Sequence, residues 1–180
     1  SWGTLAVMTE VTLKVMPKAE TERTLVLRGL DDVAANRAMT AALGSPYDVS
    51  GAAHVPGTAL GAAQGALSGL TTAGKAITLL RLEGIAASVA HRASALAADL
   101  ASFGTAELVE EAQSAALWRD IRDVIPFAAG GAFGAYPVWR IVCPPARGGA
   151  FGQAMARETG GEVIYDWGGG LVWAALPPSA

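Results

Sequence analysis

The sequence predicts an α+β domain: an antiparallel sheet with helices on one face. Short runs rich in β-branched and aromatic residues, several alternating apolar with polar, recur along the chain. Between them lie alanine-rich stretches whose larger apolar residues return every three or four positions, the spacing of a helix with one buried stripe. Glycine and proline mark most of the junctions.

Leu5 to Met16 alternates strictly, with Leu5, Val7, Thr9, Val11, Leu13 and Val15 on one side. That pattern predicts a long half-buried strand, ended by Pro17. Lys18 to Arg23 is a charged link and marks a boundary between residues 1–17 and residues 18–180. Thr24 to Leu27 predicts a short strand. Asp31 stands as the N-cap of a helix through Ala35, Met39, Ala42 and Leu43 that Gly44 stops. Tyr47 to Val55 predicts a second strand. Gly57 to Gly74 carries no charge and little periodicity, which predicts a mobile or functional loop, disordered in its middle third.

Lys75 to Glu83 predicts a strand, and the helix after Gly84 sets Ile85, Val89, Ala93, Leu96, Leu100 and Phe103 on one stripe. Ala106 to Val109 is a further short strand. Leu117, Trp118, Ile121, Val124 and Ile125 mark an amphipathic helix closed by Pro126. After a flexible turn over Gly130 to Gly134, Pro137 to Cys143 predicts a strand stopped by Pro144 and Pro145. Ala150 to Arg157 is a short helix. Glu162 to Trp167 and Leu171 to Leu176 form a hairpin about Gly168, Gly169 and Gly170. In this order the elements resemble a split β-α-β, ferredoxin-like layer.

Charged residues make up 16% of the chain, the net charge is −3, and no Lys/Arg run occurs, which excludes a phosphate-tracking nucleic-acid surface. So apolar a composition suits a globular protein whose helices pack closely, and equally a subunit partly covered by a partner. Cys143 is the sole cysteine, so neither an internal disulfide nor a cysteine-built iron–sulfur site is expected, and a reducing cytosol is the simple reading. His54 and His91 have no Cys, Asp or Glu at ligand spacing, so no metal site is expected. No apolar stretch reaches the roughly 20 residues of a membrane span. No signal peptide is visible, and Ser1 suits a processed or truncated chain.

Gly3-Thr4-Leu5-Ala6-Val7-Met8-Thr9-Glu10 resembles the Gly-x-Leu-Gly-Ile/Val-x-Thr segment near the end of the FAD-binding domain in vanillyl-alcohol-oxidase-type flavoproteins, with Ala6 for the second glycine. Further matches follow in order. They are Arg81-Leu82-Glu83-Gly84, Ala116-Leu117-Trp118 with Ile121-Arg122-Asp123, Trp139-Arg140-Ile141 before the prolines, and the run from Tyr165 to Trp173. Together they resemble the FAD-binding subunit of bacterial glycolate oxidases.

The resemblance implies a C-terminal part of such a subunit. Residues 1–17 would be the last strand of an FAD-binding domain, and residues 18–180 the ferredoxin-like substrate cap of FAD-linked oxidases. It implies FAD as cofactor, approached by Gly3, Thr4, Leu5 and Val7 but not retained by this chain alone. The reaction would be oxidation of glycolate, a small 2-hydroxy acid, to glyoxylate. A homologous flavin subunit and an iron–sulfur subunit would carry electrons onward, in the cytoplasm or peripherally on the inner membrane. Two alternatives stay open: a non-catalytic structural subunit of the same complex, and a homologue acting on another small 2-hydroxy acid. The N-terminal strand, lacking its own sheet, could pair with a second copy in a homodimer.

Three residues are candidates for the chemistry. Arg81, two residues from Glu83 on a strand, could clamp a carboxylate through parallel hydrogen bonds, or form a solvent-face pair with Glu83. Arg140, between Trp139 and Ile141, could hold an anion or stack on an indole. His54, beside the Gly/Ala loop, could act as the base for a 2-hydroxy acid, or be a loop-edge histidine without a role. Arg119 and Arg122 read as solvated helix charges, the five tryptophans as core or interface, and Cys143 as a buried thiol.

Overall fold

A computed structural model describes residues 7–15, 17–72 and 74–178. Among them, seven strands form one sheet: β1 (Thr21–Arg28), β2 (Val49–Val55), β3 (Ile77–Gly84), β4 (Glu107–Val109), β5 (Val138–Val142), β6 (Glu162–Asp166) and β7 (Leu171–Ala175). Six helices accompany them: α1 (Asp32–Leu43), α2 (Gly57–Ala62), α3 (Gly65–Ser68), α4 (Ala86–Asp99), α5 (Glu111–Arg122) and α6 (Gly148–Thr159). The strand order is β4-β1-β3-β2-β6-β7-β5, and every neighbouring pair is antiparallel. The α+β class and the antiparallel sheet are as the sequence predicts.

Local chemistry sets most boundaries. The Asp31 carboxylate accepts the Ala34 N–H at 2.7 Å, satisfying one of the four donors a helix start leaves unpaired. At the other end of α1, Gly44 donates to the Thr40 carbonyl. The β6–β7 hairpin closes as expected through its glycines, with Gly168 at φ 63° and Gly169 at φ 95°, conformations that cost glycine little. Asp166 caps the turn by accepting the Trp167 N–H at 2.7 Å.

The helices do not keep to one face. On one side of the sheet Leu25, Leu27, Leu80, Leu82 and Tyr165 pack on α1 and α4, with α6 beside them. On the other, Val26, Val55, Ile77 and Leu79 pack under α2, α3 and α5. Both faces of the central strands are therefore buried, which is why β3 begins with the unbroken buried run Ile77-Thr78-Leu79-Leu80, apolar but for the threonine. The first four strands, in the order β4-β1-β3-β2 with α1 and α4 as crossovers on a shared face, have the split β-α-β arrangement.

Three further expectations are corrected. The predicted loop Gly57 to Gly74 contains α2 and α3, and Ala59, Leu60, Leu67 and Leu70 are buried beneath it. The Leu67 N–H donates to Asp120 of α5 at 3.0 Å. Widely spaced leucines among small residues hide a helical stripe from a periodicity test, yet suffice to anchor two short helices. The second correction concerns the N-terminal strand, whose described part, residues 7–15, forms none. Val7 is 92% exposed and Leu13 76%. Alternation sorts side chains onto two sides, but a strand also needs a partner for its N–H and C=O groups. Gly3, Thr4 and Leu5 lie outside the described residues. Ile85, predicted on the buried stripe of α4, is instead 67% exposed as the residue that precedes the helix. No helix among the described residues is long and apolar enough to cross a membrane.

Candidate functional site

The sheet face under α5 opens into a cleft of about 850 Å³. Arg81 from β3 and Arg140 from β5 both line it, so the structure brings two of the three candidate residues together. Lys18, Arg119 and Arg122 join them, against the carboxylates of Glu22 and Asp166, leaving the cleft electropositive.

Register explains how Arg81 is held. It pairs with Thr24 of β1 on one side and with Gly51 of β2 on the other, two small neighbours. The Trp118 indole fills the space they leave. A Cβ at position 51 would lie 2.9 Å from the Trp118 ring, so glycine is required there. The Arg81 guanidinium stacks 4.9 Å from the ring centroid, and its Nε meets Glu83 at 3.1 Å and Ser50 at 3.2 Å. The predicted Arg81–Glu83 pair therefore forms, and it does so at the edge of the cleft. Beneath, Trp118 Nε1 donates to Thr24 Oγ1 at 2.8 Å, and Ser114 Oγ donates to Glu22 at 2.8 Å. Each hydroxyl has one proton, so Thr24 must donate to Ser114, giving a continuous chain from indole to carboxylate.

Arg140 is held more loosely. Directly opposite it on β7 is Trp173, and its guanidinium lies 4.9 Å from the Trp167 ring centroid and 5.8 Å from that of Trp173. Such contacts contribute about 0.5–2 kcal/mol each. Among the described residues its side chain makes no hydrogen bond or ion pair, so the guanidinium that lines the cleft keeps its donors unspent. Trp167 adopts φ 53°, a left-handed conformation unusual for a bulky residue, which turns its half-exposed ring toward Arg140. Asp166 sits between the two arginine sites. Burial raises its carboxyl above the ordinary range, while the Trp167 N–H and the charge of Arg81 draw it back.

His54 is elsewhere. The expected loop-edge base is fully buried on the opposite face of the sheet, where Nδ1 meets Thr78 Oγ1 at 2.9 Å and Nε2 stands 3.4 Å from Asp32. Its alternation places it back to back with the cleft residues, so it cannot reach a ligand bound there. It belongs instead to a buried polar group in which the Tyr165 hydroxyl donates to Asp32 at 2.5 Å. Burial, reinforced by the Asp32 charge, lifts the Tyr165 phenol far above its usual value of 10.0. A raised folded-state value means that stability is intact below pH 10 and falls as the pH climbs past the unfolded-state value. Tyr165→Phe is expected to cost about 1.5–3 kcal/mol at neutral pH, by loss of a hydrogen bond to a charged group. It should also flatten the alkaline fall in the urea midpoint; a fall of unchanged steepness would refute the assignment to Tyr165.

Sequence reasoning did not place the tryptophans or Asp166 in this cleft. Trp118, Trp167 and Trp173 are shelves for arginines as well as core residues, and Arg119 and Arg122 reach the cleft rim although Arg122 is paired with Asp123. Only the pairing of β5 with β7 sets Arg140 beside Trp173, and no local pattern encodes that pairing. Val7, the described member of the cofactor-side set, touches no part of this cleft. The glycines at 168–170 are packed: the first two are buried, and a Cβ at 169 would meet Pro145 O at 2.8 Å. They leave no open backbone cradle for a pyrophosphate. Compared with known proteins, the chain matches no family model and no curated protein.

Proposed function

We propose that this chain is the substrate-side part of an FAD-linked oxidoreductase acting on glycolate or another small 2-hydroxy acid, its cleft holding the substrate carboxylate. One observation carries the reading: Arg81 and Arg140, from strands four positions apart in the sheet, line one cleft on the same face, each stacked on an indole. A stacked guanidinium is pre-oriented and surrenders less freedom on gripping a carboxylate through two parallel bonds. The rest of the reading comes from the sequence resemblance, including glyoxylate as product and the homologous flavin and iron–sulfur subunits as partners. Binding and orientation are what this reading assigns to the chain, and no redox step is assigned to its side chains.

The burial of His54 favours a second reading, in which this subunit assembles the complex while a homologous partner performs the oxidation. Arg140→Ala is expected to weaken glycolate binding about tenfold or more, the worth of a charge-assisted hydrogen-bond pair. Titration calorimetry on the chain checks this, and unchanged affinity would remove the carboxylate site. Anaerobic addition of glycolate to the flavin-loaded subunit, with and without its partners, separates the two readings. Bleaching in the isolated subunit supports catalysis there; bleaching only with partners supports assembly.

A further inference from the structure

We infer that Asp166 reads the 2-hydroxyl group of the acid held by the cleft arginines, and so selects 2-hydroxy acids over plain carboxylic acids. This rests on the carboxylate reading above and assigns the cleft its specificity residue.

Two carboxylates line the cleft, Glu22 and Asp166, and among the described residues each accepts one hydrogen bond. Glu22 accepts the Ser114 hydroxyl at 2.8 Å, ending the chain that positions Trp118. Asp166 uses Oδ1 for the Trp167 N–H at 2.7 Å and makes no other hydrogen bond among the described residues. Its second oxygen is open to the cleft. Asp166 ends β6 one residue past Tyr165, which pairs with His54 of β2, so it lies on the sheet face opposite that buried pair and shares Arg81's side. Between β6 and Arg81 the neighbouring strand carries Gly51, whose missing side chain makes room for the Trp118 ring on which Arg81 stacks. The turn that fixes Asp166 is rigidly built, with Trp167, Gly168 and Gly169 all at positive φ.

The chemistry follows from which groups donate. A 2-hydroxy acid presents an acceptor-only carboxylate and, on the adjacent carbon, a hydroxyl with one proton to give. A cleft arginine satisfies the first, and the second oxygen of Asp166 satisfies the second. A plain acid offers no proton to Asp166, so its own charge faces the aspartate unrelieved. Discrimination then comes as much from repulsion of the wrong ligand as from attraction of the right one.

The test is a set of amide-detected NMR titrations of the chain with glycolate, acetate and methoxyacetate. Glycolate is expected to bind about tenfold or more tighter than acetate, as a hydrogen bond to a charged group allows. Methoxyacetate keeps the oxygen but has lost the proton, and is expected to bind no tighter than acetate. Asp166→Asn retains the oxygen that caps Trp167 and is expected to bring the glycolate-to-acetate ratio to within roughly threefold, with both still binding. An unchanged ratio in Asp166→Asn overturns the inference, as does methoxyacetate binding like glycolate; the latter needs no variant to fold. Equal wild-type affinity for glycolate and acetate leaves the carboxylate reading standing and overturns the role of Asp166. If no acid binds, the carboxylate reading falls and this inference with it.

Discussion

Trp118→Ala is expected to lower the unfolding free energy by about 3–5 kcal/mol, the range for emptying a buried aromatic site. The residue is only 9% exposed and belongs to the core shared by β1, β2 and α5. Collapse around the gap is hindered by its walls. Gly51 lies against the ring with no side chain to swing inward, and Thr24 would lose the indole donor it accepts from at 2.8 Å. Trp118→Phe keeps much of the volume and should lose less, about 1–2 kcal/mol from the absent N–H and the smaller ring. Urea unfolding measures both. The same pair tests the cleft: the alanine variant removes the shelf under Arg81, so ligand affinity should fall with stability, whereas the phenylalanine variant should retain most of both. Equal stability of wild type and Trp118→Ala would contradict the packing described.

Asn36→Leu is the second large effect, expected at about 2–6 kcal/mol, because it strands two buried backbone groups at about 1–3 kcal/mol each. Asn36 lies within α1, where an amide side chain gains nothing from helix propensity. Its role is tertiary. The Asn36 Nδ2 group donates to the Gly168 carbonyl at 2.9 Å, and its Oδ1 accepts the Gly149 N–H at 3.1 Å. One side chain thus ties α1 to the start of α6 and to the turn that presents Asp166 and Trp167. Leucine matches the volume, so the loss reflects unpaired polar groups more than a cavity. Denaturant unfolding checks the magnitude, and hydrogen exchange at the Gly149 amide checks the cause. If that amide remains as protected in the variant as in wild type, the account fails.

Much of the fold is legible from residue order alone. Asp31 with Gly44 brackets α1, the 166–170 run closes the final hairpin, and the apolar stripe of α5 is evident from Leu117, Trp118 and Ile121. These are local signals: a side-chain acceptor three residues from a donor, a positive φ, a period of 3.6. The expectation of helices on one face failed for another reason. Apolar positions in α5 show that a face is buried, but local patterning cannot say which side of the sheet will bury it.

The cleft divides in the same way. The sequence by itself determined that Arg81 points with Glu83, that Arg140 opposes its neighbours, and that Asp166 caps its own turn. Each depends on residues one or two apart. Tertiary structure alone decided that β5 pairs with β7 and β3 with β2, and those pairings set the arginines on one face and His54 on the other. Cross-strand neighbours at Arg140 and Trp173 lie 33 positions apart in the chain, a juxtaposition that only the register of the folded sheet creates.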